Sequence, residues 1–279
     1  MRLCMFRLPA GPPGRWPGRV EGDEIVRLAV PDVVSVLTRR GEVAEAGRVP
    51  AGDAELLAPV PCPPSVRDFF AFEQHIATAR GNRGAAVPAE WYEFPAFYFT
   101  NPAAIIGPGC ELHYPSGTAM LDFELEVAAV IGADGRIGGF TVMNDWSARD
   151  IQRKEMRVGL GPAKAKDFAT SLGPVLVTAD EFDGSGAVMT ARVNGEERSR
   201  GDLADMHYSW EEIRAHAARD TALRPGDVLG SGTVGTGCVL EHDDGRWLVP
   251  GDLVELEVAG LGVLANRVAP PRAPAGQAS

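Results

Sequence analysis

The chain has 279 residues, of which 45% are hydrophobic and 23% are charged, as is typical of a globular protein. Its formal net charge of −11 at pH 7 argues against nucleic acid and anionic membrane surfaces as partners. The four cysteines lie far apart without a CxxC pair, so their spacing implies neither disulfides nor a zinc site. The chain has no run near the ~20 apolar residues of a membrane span and no signal-peptide core, and we expect a cytoplasmic protein.

Residues 1–60 are predicted to form a small N-terminal module of short strands. The segment 18–26 indicates two strands joined by a turn near Gly22, and the valine spacing in 31–38 favours a short helix. A proline cluster at 61–64 suits a domain junction. We therefore expect a main domain over 61–268 and a disordered tail, rich in proline and alanine, over 269–279.

After the proline cluster, an amphipathic helix is predicted to begin near Asp68. Apolar side chains at Phe69, Phe72 and Ile76 recur with helical spacing, and Asp68 is a suitable cap. His75 lies in this segment, and a lone histidine is most often a structural residue.

The next informative segment is the strand predicted over residues 121–132 (LDFELEVAAVIG). Its two-residue period places Glu124 and Glu126 on one face and Phe123, Leu125 and Val127 on the other. Adjacent carboxylates on a strand repel one another. The pair is therefore either a solvated sheet edge or a ligand pair for a hard cation such as magnesium, manganese or calcium.

A second segment, residues 144–152 (NDWSARDIQ), follows another apolar strand. Together with Glu124-Leu125-Glu126 it closely resembles the core of the fumarylacetoacetate hydrolase family, and the resemblance extends over about residues 61–265. The resemblance implies an α+β fold, mostly β, that is a mixed β-roll with a small N-terminal module and usually a homodimer. It also favours the interpretation of Glu124 and Glu126 as ligands of a cation over that of a solvated sheet edge.

The resemblance further implies a metal centre and a general base. Four carboxylates are expected to bind Mg²⁺, or Mn²⁺ or Ca²⁺ in its place: Asp68, Glu124, Glu126 and Asp145. His75 matches the family's general base, and Glu241 matches the glutamate that orients it.

The remaining implied residues contact the substrate. Arg149, Gln152 and Lys166 are expected to face an oxyanion, while Tyr98 and Thr233 are expected to contact a substrate carboxylate. Helical spacing makes Gln152 and Asp145 neighbours of Arg149. No arginine matches the family position that contacts the distal end of the substrate, for which Arg80 and Arg83 are the candidates.

The resemblance implies a metal-dependent hydrolase that cleaves a carbon–carbon bond in a β-diketo acid or acylpyruvate, a small-molecule substrate. The main alternative is an isomerase, dehydratase or decarboxylase that acts on a 2-oxo acid at the same metal site. A further alternative is a non-catalytic protein on the same fold. The presence of His75 and Glu241 favours hydrolysis, because an attacking water needs a base.

Overall fold

The structure is a computed structural model and describes residues 1–82 and 84–272. In chain order the strands are β1 (Arg2–Arg7), β2 (Trp16–Glu21), β3 (Glu24–Leu28), β4 (Glu45–Pro50), β5 (Glu55–Leu57), β6 (Val66–Phe69), β7 (Phe97–Thr100), β8 (Ile105–Ile106), β9 (Glu111–His113), β10 (Leu121–Asp122), β11 (Leu125–Ile131), β12 (Ile137–Asp145), β13 (Ser147–Ala148), β14 (Thr170–Thr178), β15 (Val188–Val193), β16 (Glu196–Asp202), β17 (Val228–Gly230), β18 (Leu253–Val258) and β19 (Gly262–Ala269). The α-helices are α1 (Val33–Thr38), α2 (Glu73–Gly81), α3 (Arg149–Val158), α4 (Trp210–Ala217) and α5 (Val239–His242). None of the helices described is long and apolar enough to cross a membrane.

Two sheets dominate the fold. The larger sheet has the strand order β4-β3-β2-β1-β14-β12-β11-β17-β6-β7, with β5 added beside β1 and β8 beside β14. The smaller sheet has the order β16-β15-β18-β19-β9. Most pairs are antiparallel, but β6 with β17, β8 with β14 and β9 with β19 are parallel. The fold is thus α+β, mostly β and mixed in strand direction, as the sequence predicts.

Strand β11 is buried on both faces in the middle of the larger sheet. Leu125 and Val127 join Phe123 in the large core shared with β15 and β18 of the smaller sheet. Ala128 and Val130, on the opposite face, pack with residues of β1, β3 and α1. The predicted alternation is therefore confirmed within β11, and Glu126 lies on the second face because strand side chains alternate. The single strand predicted over 121–132 is instead broken, because Leu121 and Asp122 form β10 and pair with β13.

The N-terminal strands continue the larger sheet. Strand β1 pairs with β14, and Leu3 packs in one buried cluster with Leu172, Leu176 and Val228 of the main domain. The turn at Gly22 joins β2 to β3, and α1 lies within the predicted segment. A division of the chain at residue 60 stays a prediction.

Two local predictions are wrong. Asp68 is on strand β6, which pairs with β17 and β7, and the helix begins only at Glu73; strand pairing from distant residues overrides the local helical spacing. Ala269 closes strand β19 rather than starting a disordered tail, because it pairs with β9. Residues 273–279 of the predicted tail lie outside the described residues.

We expect Leu3→Ala to lower the free energy of unfolding by about 2–5 kcal/mol, because it empties a site in the core that the N-terminal strands share with the main sheet. The control is Leu160→Ala, the same change at a side chain that is 88% exposed, for which we expect a change within about 0.5 kcal/mol. Denaturant unfolding measures both. Equal stabilities of the two variants would show that residues 1–60 do not stabilise the main domain.

Candidate active site

Neighbouring strands of the larger sheet bring three of the predicted metal ligands together. Asp68 lies on β6, Glu126 on β11 and Asp145 at the end of β12. Glu124 precedes β11, and its backbone N–H donates to the Asn144 side chain at 3.0 Å. Oxygen atoms of Asp68, Glu124 and Glu126 lie within 4.8 Å of one another, and all four carboxylates are buried. The structure therefore supports the predicted site rather than a solvated sheet edge.

A glycine on β17 makes room for two of these carboxylates. Gly230 pairs with Asp68 on one side and with Ala128 of β11 on the other. A β-carbon on Gly230 would lie 2.5 Å from Asp68 Oδ1 and 3.0 Å from Glu126 Oε2. A β-carbon at the first distance would force the Asp68 carboxylate to shift, and the second distance is tight, so glycine at this position leaves space for both carboxylates.

Arg149 anchors the cluster from the first turn of α3. Its Nε donates to Asp122 at 2.8 Å, its Nη2 to Glu124 at 2.8 Å, and its Nη1 to Gln152 at 3.1 Å. The predicted Arg149–Gln152 pair is thus present. Asp145 is not a helical neighbour of Arg149, because it ends strand β12 before α3 begins.

Asp122 is a site residue that the sequence analysis missed. It is fully buried, and it accepts hydrogen bonds from Arg149 and from the backbone N–H groups of Val239 and Leu240 at 2.7 and 3.1 Å. It therefore ties α3 to the start of α5, which carries Glu241. Its position within the predicted strand 121–132 was the only local signal.

Lys166 bridges the two halves of the carboxylate set. Its Nζ donates to Glu124 Oε2 and to Asp145 Oδ2, each at 2.5 Å, and the side chain is buried. Asp145 Oδ2 also accepts the Tyr98 hydroxyl. Burial alone would raise the pKa of Glu124, but Lys166 and Arg149 lower it below its usual value.

The other carboxylates retain unsatisfied oxygen atoms. Among the described residues, Asp68 Oδ1, both Glu126 oxygens and Asp145 Oδ1 are buried without a hydrogen-bond partner. Burial raises the pKa of Asp68 and of Glu126 well above their usual values, and neighbouring carboxylates raise both further. Burial raises the pKa of Asp145 to about 6, although Lys166 acts against this. Buried, oxygen-only and electron-rich, these atoms fit a hard divalent cation.

His75 and Glu241 form a buried pair beside this cluster. His75 lies on α2, and its Nδ1 contacts Glu241 Oε1 on α5. The other Glu241 oxygen accepts the Thr236 backbone N–H at 2.7 Å. When Glu241 is ionised it accepts a proton-bearing Nδ1, and the imidazole then has its basic lone pair on Nε2. The arrangement matches a base held by an orienting carboxylate.

A cavity of about 370 Å³ connects the two groups. It is lined by most of the predicted site residues, namely Asp68, His75, Tyr98, Glu124, Glu126, Arg149, Gln152, Lys166 and Thr233. Asp145 and Glu241 do not line the cavity but contact the lining residues Lys166 and His75, respectively. Arg80 and Arg153 also line the cavity, whereas Arg83, the other predicted candidate for distal contact, lies outside the described residues.

Comparisons with known proteins decide the family. Residues 65–269 match the family model described as fumarylacetoacetate (FAA) hydrolase C-terminal. The chain belongs to the fumarylacetoacetate hydrolase family. A human relative named oxaloacetate tautomerase FAHD2A, mitochondrial, is 30% identical over 243 residues, which cover 83% of this chain and 75% of that protein.

Two solved structures of this family resemble the chain over almost its full length. A 5-carboxymethyl-2-hydroxymuconate delta-isomerase from Mycobacterium smegmatis is 28% identical with a TM-score of 0.77, and the match covers 97% of this chain and 100% of that one. A fumarylacetoacetate hydrolase from Exiguobacterium antarcticum is 26% identical with a TM-score of 0.79, covering 98% and 100%. The predicted family and fold are thereby confirmed, while these relatives carry names of three different reactions.

We expect Gly230→Ala to weaken Mn²⁺ binding at least ~10-fold, because an added methyl group displaces the Asp68 and Glu126 carboxylates. The control is Gly52→Ala, where a β-carbon meets no atom within 4 Å. Isothermal titration with Mn²⁺ measures both affinities, and thermal unfolding confirms that each variant is folded. Unchanged affinity in folded Gly230→Ala would place the metal elsewhere.

Proposed function

We propose that this protein is a metal-dependent enzyme that moves a proton on a 2-oxo acid, as in keto–enol tautomerisation or double-bond isomerisation. The observation that carries the proposal is the arrangement around one cavity of a buried carboxylate cluster and a carboxylate-oriented histidine. The names of the human and mycobacterial relatives support proton transfer over bond cleavage. Carbon–carbon hydrolysis, the principal expectation from the sequence, becomes the second candidate.

Asp68, Glu124, Glu126 and Asp145 are the residues that would hold the cation, with Mg²⁺, Mn²⁺ or Ca²⁺ all suited to oxygen ligands. When bound, such an ion acts as a Lewis acid that stabilises negative charge on a carbonyl oxygen. Tyr98 donates to Asp145, and Arg149 donates to Glu124. In the part of the chain that the structure describes, the first contact leaves Asp145 Oδ1 without a hydrogen-bond partner, whereas the second Glu124 oxygen accepts from Lys166.

His75 supplies the proton transfer. Its basic Nε2 removes a proton from the carbon beside the 2-oxo group, the electron pair moves toward the carbonyl oxygen, and the reverse step returns the proton to carbon. Glu241 keeps the proton of the ring on Nδ1 and stabilises the imidazolium that forms. Because His75 is buried at the cavity wall, the proton that it holds is shielded from bulk water.

Two donors remain for the substrate oxygen. Lys166 has three N–H groups and uses two of them on Glu124 and Asp145, so a third is left for a substrate. Gln152 accepts from Arg149 through its amide oxygen, which leaves the amide nitrogen to donate. Thr233 is buried at the cavity wall and is the candidate donor to a substrate carboxylate. Tyr98 is engaged with Asp145, and its contact with substrate stays a prediction.

Hydrolysis is supported by one specific observation. The His75–Glu241 pair would equally deprotonate a water molecule for attack on a carbonyl carbon, as the sequence predicts. The relative from Exiguobacterium antarcticum is named a fumarylacetoacetate hydrolase. The two candidates share the metal and the base and differ in whether water enters the product.

The cavity mouth favours a substrate with a second carboxylate. Among the residues that the structure describes, Arg80 donates to a backbone carbonyl at 3.5 Å, and Arg153 donates to the Met120 sulfur at 3.6 Å. Neither forms an ion pair with any carboxylate in residues 1–82 and 84–272, so both charges are available to a ligand. A dicarboxylate such as oxaloacetate would meet these two charges at its distal end.

The deciding experiment supplies enolic oxaloacetate and follows the loss of its ultraviolet absorbance, with Mg²⁺ and with a chelator. We expect the protein to accelerate ketonisation, the chelator to abolish the effect and added Mg²⁺ to restore it. In parallel, acylpyruvates are incubated with the protein and the molecular masses of the products are measured by mass spectrometry. Two acids whose combined mass exceeds the substrate by one water would instead establish hydrolysis, and no metal-dependent activity on either class would favour a non-catalytic protein.

His75→Ala should lower kcat by about 10²–10⁴-fold, because it removes the base. Its Mn²⁺ affinity should remain that of the wild type, because His75 is not among the oxygen ligands. The control is His242→Ala, a change at an exposed histidine of the same α5 that carries Glu241. If His75→Ala turns over at the wild-type rate, the base is another residue.

Arg153→Ala should raise KM for a dicarboxylate by at least ~10-fold, since a charge-assisted hydrogen bond is worth about 1.5–3 kcal/mol. We expect a smaller effect on kcat, because Arg153 is remote from the carboxylate cluster along α3. Lys154→Ala removes an equal charge from the same helix outside the cavity lining and serves as the control. Equal KM values for the two variants would remove Arg153 from the substrate site.

The homodimer and the cytoplasmic location stay predictions from the sequence. The human relative is named as mitochondrial, so its compartment gives the cytoplasmic prediction no support.

A further inference from the structure

A second group of metal-ligating atoms lies beside the carboxylate cluster and differs from it chemically. His75, Cys238 and Glu241 bring a ring nitrogen, a thiol sulfur and a carboxylate oxygen within 4.8 Å of one another. All three side chains are buried, and His75 lines the cavity. Nitrogen and sulfur ligands select zinc, whereas the oxygen-only cluster at Asp68 selects harder ions.

The distances are close to those of a zinc site. Cys238 Sγ lies 3.6 Å from Glu241 Oε1, the oxygen that also contacts His75 Nδ1. Tetrahedral zinc with bonds of about 2.0 Å to nitrogen or oxygen and about 2.3 Å to sulfur separates neighbouring ligand atoms by about 3.3–3.5 Å. The sulfur–oxygen pair is already close to this spacing, the histidine–glutamate contact must lengthen, and the sulfur and the ring nitrogen lie within 4.8 Å of each other.

The backbone holds these ligands in place. Cys238 is the residue before α5, and Glu241 follows three residues later, with its second oxygen fixed by the Thr236 N–H. Helix α2, which carries His75, packs against α5. The sulfur belongs to a small apolar cluster with Ala79 and Leu240. A zinc ion with one thiolate and one carboxylate has no net charge, and a neutral group is the least costly to bury there.

We propose that His75, Cys238 and Glu241 form a binding site for one Zn²⁺ ion that is separate from the oxygen-only cluster. On binding, the thiol proton leaves to solvent and the imidazole proton moves from Nδ1 to Nε2, because zinc takes the Nδ1 lone pair. His75 then has no basic lone pair facing the cavity, so zinc inhibits the enzyme. Binding itself does not depend on the proposed function, whereas the inhibition does.

The test uses Co²⁺ as a spectroscopic stand-in for zinc, since thiolate-bound Co²⁺ gives a charge-transfer absorbance in the near ultraviolet. The metal-free protein receives excess Mg²⁺ to occupy the oxygen ligands and is then titrated with Co²⁺. We expect the absorbance to rise until one equivalent per chain is bound and to disappear when Zn²⁺ is added. Absence of this absorbance in the wild type would overturn the proposal, whatever the activity assays show.

Cysteine variants locate the site. Cys238→Ser should abolish the absorbance and weaken Zn²⁺ binding at least ~100-fold, the upper range for loss of groups that only support a ligand. Cys62→Ser, at an exposed free cysteine, should change neither. If Cys238→Ser does not fold, Cys4→Ser, Cys62→Ser and Cys110→Ser should each retain the absorbance and assign it by elimination. Absorbance retained in Cys238→Ser, or lost in one of the other three, would contradict the assignment.

Discussion

An imbalance of buried charge organises this protein. Apart from Glu241, which pairs with His75, five buried carboxylates around the described part of the cavity meet only two buried cationic side chains, an excess of three negative charges when all are ionised; they are Asp68, Asp122, Glu124, Glu126 and Asp145 against Arg149 and Lys166. Breaking or leaving out one partner of a buried charge pair typically costs about 3–5 kcal/mol, so such an excess needs compensation. The raised pKa values of Asp68 and Glu126 show where it is greatest. A divalent cation at their unpaired oxygens would supply two of the missing charges.

The fold makes this imbalance possible by bringing strands from distant parts of the chain together. Strands β6, β17, β11 and β12 lie side by side in this order in the larger sheet, although β17 is far from the other three in sequence. Gly230 stands between two ligand-bearing strands and leaves space for both carboxylates. Arg149, held by Asp122, then links the cluster to the backbone of α5 and so to the His75–Glu241 pair. One hydrogen-bond network therefore joins the carboxylate cluster to the His75–Glu241 pair.

Local patterns predicted the parts of the site that are contiguous in sequence. The alternation over 121–132 correctly separated Glu126 from the core-facing Leu125, and helical spacing correctly paired Arg149 with Gln152. Contacts between distant residues could not be predicted in this way. Asp122 was missed because its partners lie 27 residues away at Arg149 and more than 100 residues away in α5. The helix predicted from Asp68 was wrong for the same reason, since its strand partners are remote. The resemblance to the family, and not any local pattern, predicted that these residues come together in one site.

Anomalous diffraction from crystals grown with Mn²⁺ tests the central claim most directly. We expect one strong manganese peak per chain, about 2.0–2.3 Å from carboxylate oxygens of Asp68, Glu124 and Glu126, on the side where, within the described residues, Asp68 and Glu126 have oxygens without hydrogen-bond partners. A map at saturating Mn²⁺ with no peak among these three residues would contradict it.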